Sequence, residues 1–193
     1  MSSFAGHALA GVTAYLCSTG GARARAPSRW AVVPFVFVAV CPDLDYLGVW
    51  LLGYGAHPRI THSLLFALVA AVAVQCVAKA AGNTQPLRWR WLLLASVSHP
   101  LLDLLVGAHP VPLFWPLQDG VAVRGVLPSA GALRVGNAYL WRNLLIELGV
   151  LLPVFAALVA LARGHAWGRW RAWTWCIAPL WAAFVIWSIR LPR

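Results

Sequence analysis

The sequence predicts an all-α fold: a polytopic transmembrane helical bundle of about six (five to six) membrane helices with a long capping loop. Composition is the first observation behind this. The 193 residues are 61% hydrophobic and only 10% charged, whereas a soluble domain is ~45–50% apolar and ~25% charged. A fold with a charged shell is excluded, and so is a disordered chain, which needs low hydrophobicity. The second observation is segmentation. The apolar residues fall in stretches too long for core strands, and in lipid a helix satisfies every backbone group within the segment. The third is that Arg residues cluster between those stretches, as in Arg23, Arg25, Arg29 and Arg163, Arg169, Arg171. The chain therefore reads as one integral membrane domain over residues 1–193.

Taken in order, the segments run 4–20, 30–52, 61–80, 91–107, 138–162 and 172–189. The first has no basic residue ahead of it and carries His7 near its start, unlike a cleaved leader. Two others are interrupted. Asp43 and Asp45 follow Trp30 within one segment, and His99 stands eight residues after Trp91. At ~1.5 Å per residue, these groups fall inside the bilayer profile. A charge there costs ~2.5–3.5 kcal/mol on insertion scales, which something must offset. The connection over 108–137 holds Pro110, Pro112, Pro116 and Pro128. It is too long for a passive turn and reads as a lid.

Net charge is +10. Its distribution in short links suits the positive-inside rule and anionic headgroups, not nucleic acid. The links after the first, third and fifth segments, with Lys79 at the end of the third segment, hold nine of the fifteen Lys and Arg residues. This places those links in the cytoplasm and the N-terminus outside. Most Trp residues sit at segment ends, as interfacial belts do. The dispersed Cys17, Cys41, Cys76 and Cys176 read as small apolar residues.

Alternation of the segments puts His7, Asp43, Asp45, His57, His62, His99, Asp103, His109, Asp119 and Glu147 on one membrane side and His165 on the other. A random scatter would divide evenly, so a site is expected. His109 and His165 read as solvated or interfacial, and Asp119 beside Gly120 as a turn former. Glu147 reads either as a ligand or as glue to Arg142 or Asn143. His99 and Asp103 share a helix face at four-residue spacing, with Pro100 expected to kink the helix and loosen the pair. Asp43 and Asp45 would diverge on a regular helix, but Pro42 suggests a break that lets both converge. Two carboxylates that close repel unless a cation or proton intervenes. A metal is the obvious counter-charge, since intramembrane Lys and Arg are nearly absent.

In order along the chain come Gly6-His7, Pro42-Asp43-Leu44-Asp45, His57 with Arg59, Thr61-His62-Ser63, Ser98-His99 with Asp103, Phe114-Trp115-Pro116 and Asn143-Leu-Leu-Ile-Glu147. This series resembles the YdjM-type family of small bacterial inner-membrane proteins, described as membrane-bound metal-dependent hydrolases. The motif-bearing core spans residues 4–150. The Arg of the usual His-Arg-Gly-x-Thr-His-Ser motif is displaced by one here, while both His keep their spacing. The motif order is also distantly similar to the zinc-dependent phospholipase C and nuclease P1 group, which leans towards phosphoester chemistry.

The resulting expectation is a membrane-embedded metal-dependent hydrolase acting on a phosphoester of a lipid or lipid-linked substrate. Its metal ligands are His7, Asp43, Asp45, His57, His62, His99 and Asp103, holding one or more divalent ions, zinc first and manganese second. Glu147 is a ligand or general base, and Arg59, Arg124 and Arg142 lie on the side to hold phosphate. Thr61 and Ser63 are expected to cap the third helix. The alternatives are a proton- or metal-ion-coupled transporter and a non-catalytic membrane protein with a structural metal. The inner membrane is the expected location, with the site facing the non-cytoplasmic side.

Overall fold

A computed structural model describes residues 2–20, 29–46, 51, 53, 59–82, 87–129, 136–164 and 167–191. It is helical: α1 (Phe4–Ser18), α2 (Val33–Val40), α3 (Leu64–Ala80), α4 (Trp89–Val106), α5 (Ala138–Ala162) and α6 (Trp167–Arg190). Short 3-10 turns occupy Arg29–Val32, Cys41–Leu44 and Ile60–His62. Among the described residues no strand forms, and a single bridge joins Val111 to Val121.

Local chemistry sets the helix ends. Ser3 opens α1 by accepting the Gly6 N–H at 3.0 Å. Ser63 opens α3 the same way through Phe66 N–H at 3.1 Å. Thr61 lies two residues earlier, in the 3-10 turn Ile60–His62, and, against expectation, does not cap the helix. Its hydroxyl is committed to Asp45 and His62 instead. Gly107, at φ 61°, closes α4 by donating to the Asp103 carbonyl. Asn137 caps α5 through Tyr139 N–H.

The expected second segment is the one most broken up. Pro34 stands at the start of α2, and Pro42, with no N–H to give, turns the chain into the 3-10 stretch Cys41–Leu44. At 1.5 Å per residue, α2 alone is about 12 Å long. Pro100, by contrast, lies inside α4, which runs from Trp89 to Val106, so the helix does not start there.

Helix α1 packs on α2, α4 and α5; α4 also packs on α2 and α3, and α5 on α6. One apolar cluster joins Ala14, Tyr15, Phe35, Val38, Ala71, Leu92 and Ala95. A second joins Ala10, Leu102, Val106, Leu127 and Leu151. Gly11 allows the close crossing of α1 and α2, because a Cβ there would meet the Phe35 carbonyl oxygen at 2.7 Å.

The described part of the long connection is tied down near the ends of these helices. Leu113 O accepts from Leu64 N–H, and Leu105 O accepts from the N–H groups of Val126 and Leu127. Among the described helices, only α5 is long and apolar enough by length and composition to cross a membrane. Trp30–Leu44, Leu64–Ala80 and Thr174–Arg190 are apolar but shorter.

Candidate metal centre

Four helical elements deliver the polar groups to one place. His7 comes from the first turns of α1, Asp43 from the 3-10 turn after α2, His62 from the turn before α3, and His99 and Asp103 from adjacent turns of α4. All are buried, His7 and His99 completely. The Nε2 atoms of the three imidazoles converge on the two carboxylates. His7 Nε2 lies 3.9 Å from Asp43 and 3.5 Å from Asp103. His62 Nε2 lies 3.6 Å and 3.3 Å from the same two, and His99 Nε2 lies 3.7 Å from each. The rings pack together, His7 stacked on His99 at 3.8 Å between centroids and His62 edge-on to His99 at 4.9 Å.

None of these separations is a hydrogen bond. The Nε2 atoms of His7, His62 and His99, with Asp43 Oδ1 and Asp103 Oδ2, are buried without a hydrogen-bond partner. Buried polar atoms are rarely left so. Imidazole and carboxylate together are donors that could hold a metal ion. For zinc bonded at ~2.0–2.1 Å, ligand atoms of a tetrahedron stand about 3.3–3.4 Å apart. The shorter observed separations match this and the longer ones exceed it slightly. Two overlapping groups could hold an ion, His7 with His99 and Asp103, and Asp43 with His62 and His99.

The other ring nitrogens show how two imidazoles are aimed. His99 Nδ1 is 2.7 Å from the Ala39 carbonyl oxygen. A carbonyl only accepts, so Nδ1 carries the proton and Nε2 presents a lone pair. Thr61 donates to Asp45 Oδ2 at 3.0 Å, and its oxygen is 3.0 Å from His62 Nδ1. With its one proton given to Asp45, Thr61 accepts from His62 Nδ1–H. The lone pair of His62 Nε2 then faces the carboxylates. Such outer partners fix ring orientation and raise ligand basicity.

The expected residues thus separate. His7, Asp43, His62, His99 and Asp103 come together. Asp45 lies behind His62, 3.8 Å from its Nδ1, and is in neither ion-holding group. Glu147 is also outside both; its carboxylate accepts from the Ser2 hydroxyl and from Ser3 N–H at 3.0 and 3.2 Å. The expected glue to Arg142 or Asn143 does not form, for Arg142 bonds Asn143 and stacks over Tyr139. Arg142 and Asn143 line a cleft of about 300 Å³ with Ser129, Ser188 and Gly107. Arg59 donates to Tyr46 Oη at 2.7 Å and lies over that ring. His57 falls outside the described residues. His109 and Asp119 are exposed.

Sequence reasoning missed Ser2 and Ser3 and misplaced Thr61. Ser2 N–H donates to Asp103 Oδ1 at 2.7 Å. Its only sequence signal is weak: two small polar residues just ahead of an apolar helix.

The profile of the YdjM inner membrane protein family matches residues 1–191. The chain belongs to that family. No curated protein and no solved structure matches it.

Proposed function

We propose that the protein is a membrane-embedded, metal-dependent hydrolase acting on a phosphoester of a lipid or lipid-linked substrate. The carrying observation is the set of Nε2 atoms of His7, His62 and His99 facing Asp43 and Asp103, buried with no protein partner. Ligands drawn from these five residues would hold the ion, zinc first and manganese second. We read one ion. Both candidate groups draw on His99, whose Nδ1 is occupied by Ala39, and its remaining nitrogen serves a single metal. When bound, such an ion supplies a Lewis acid and an activated water.

The chain's own residues supply the rest. Asp45 and Thr61 orient His62, and the Ala39 carbonyl orients His99. Arg142 sits in a polar cleft with Asn143. Gly107, at the edge of this cleft, donates its N–H to the Asp103 carbonyl at the end of α4, which links the cleft to the turn that carries Asp103. A guanidinium there suits a phosphate, and Arg59 offers a second cation beside Thr61. The described part of the long connection, residues 108–129, serves as a lid, anchored next to Ser63 and Asp103 through Leu64 and Leu105.

Several helices carry large apolar side chains on their outer faces, among them Val69, Val77, Leu161, Trp175 and Leu180. This supports a polytopic bundle in the inner membrane, with lipid as the surrounding medium. The positive-inside rule, applied to the Arg-rich links, supports a centre towards the non-cytoplasmic face.

The near-complete burial of the five groups favours a second reading, a closed structural metal. The test is to load purified protein with zinc or manganese and offer lipid phosphomonoesters and phosphodiesters in mixed micelles. Hydrolysis that chelator abolishes and metal restores supports the enzyme. Metal-loaded, folded protein without hydrolysis points to the structural role, and metal or proton flux in proteoliposomes points to a transporter.

A further inference from the structure

Among the described residues, Glu147 is the one fully buried carboxylate outside both ion-holding groups, and its bonding points away from a ligand role. It sits 1% exposed on α5. Its oxygens accept the Ser2 hydroxyl and the Ser3 backbone N–H. The same Ser2 donates its own N–H to Asp103 Oδ1 at 2.7 Å. Ser2 and Ser3 are themselves buried. One short segment therefore bridges Glu147 and Asp103. Gly6 completes the fit, because a Cβ there would stand 2.4 Å from Glu147 Oε1.

We infer that Glu147 is a positioning residue: it clamps the Ser2–Ser3 segment so that the Ser2 N–H holds Asp103 Oδ1 and turns Oδ2 towards His62 and His99. This rests on the metal reading of the centre, but the clamp itself stands without metal. Asp103 Oδ1 is taken by Ser2, while Oδ2 has no hydrogen-bond partner and lies 3.3 Å from His62 Nε2 and 3.7 Å from His99 Nε2. Outer-partner loss of this kind weakens metal binding by ~10–100-fold without removing a ligand.

The test uses the full chain in detergent, with Glu147→Ala, Glu147→Gln, Ser2→Pro and the Ser2→Pro/Glu147→Ala pair. Two readouts are taken: zinc affinity by chelator competition, and hydrogen exchange of the peptide spanning residues 2–8 in metal-free protein. Glutamine keeps an acceptor oxygen, so Glu147→Gln should stay near wild type in both. Glu147→Ala should lose protection over 2–8 and bind zinc ~10–100-fold more weakly at unchanged stoichiometry. Ser2→Pro removes the N–H to Asp103 and should match it, and the double variant should be no worse than either single.

Protection retained in Glu147→Ala overturns the clamp. Equal damage in Glu147→Gln and Glu147→Ala also overturns it, making Glu147 a ligand or base. A wild type that binds no divalent ion overturns the metal reading, and exchange alone then decides the clamp.

Discussion

His99 Nδ1 donates to the Ala39 carbonyl oxygen at 2.7 Å. That bond joins α4 to the end of α2 and settles which nitrogen of His99 faces the carboxylates. His62 reaches the same state by a different route, through Thr61 and Asp45. Two imidazoles from different elements thus present the same atom, Nε2, to the same pair of carboxylates.

If Thr61 and Asp45 only aim His62, then Thr61→Val should weaken zinc binding ~10–100-fold while one ion per chain still binds at saturation. Competition with a chromophoric chelator measures this. A fall in stoichiometry would instead make Thr61 itself a ligand.

Removing the ion leaves the buried carboxylates of Asp43 and Asp103 close together without the metal counter-charge. Chelator should therefore lower the thermal unfolding temperature in detergent, and zinc should restore it. At a free zinc concentration 100-fold above Kd the gain is ~2.7 kcal/mol. His99→Ala should unfold at a temperature insensitive to zinc.

The crossing of α1 over α2 has no room for a side chain at Gly11, where a Cβ would meet backbone atoms of Phe35 and Val36 at 2.7 and 2.8 Å. Gly11→Ala should destabilise by ~1–3 kcal/mol as the helices are pushed apart. Because α1 carries His7 and α2 leads to Asp43, zinc affinity should fall with it. Thermal unfolding and chelator competition on the same sample check both.

Arg142→Ala should leave metal content unchanged and lower kcat/KM on a lipid phosphoester by ~10–100-fold, the scale of a lost charge-assisted hydrogen bond. Steady-state kinetics in mixed micelles read it. Unchanged kinetics would remove Arg142 from the substrate site.

Much of the centre was legible because buried charge is costly in an apolar chain. Asp43, His99 and Asp103 stood out by interrupting segments that hydropathy alone would have kept apolar. The four-residue spacing of His99 and Asp103 translated directly into one helix face, and α4 kept that face despite Pro100. What sequence could not separate was holding from aiming. Asp43 and Asp45 look equivalent on paper, but the 3-10 turn after Pro42 sends Asp43 to the front of His62 and leaves Asp45 behind it. The contribution of Ser2 was invisible for another reason. It acts through a backbone N–H, which every residue but proline carries.

The most direct test is metal content by elemental mass spectrometry on detergent-purified protein, with wild type beside His99→Ala and Asp103→Ala and folding checked by circular dichroism. The account predicts one zinc or manganese per wild-type chain and none in the folded variants. A folded wild type that stays metal-free after incubation with divalent ions would contradict it.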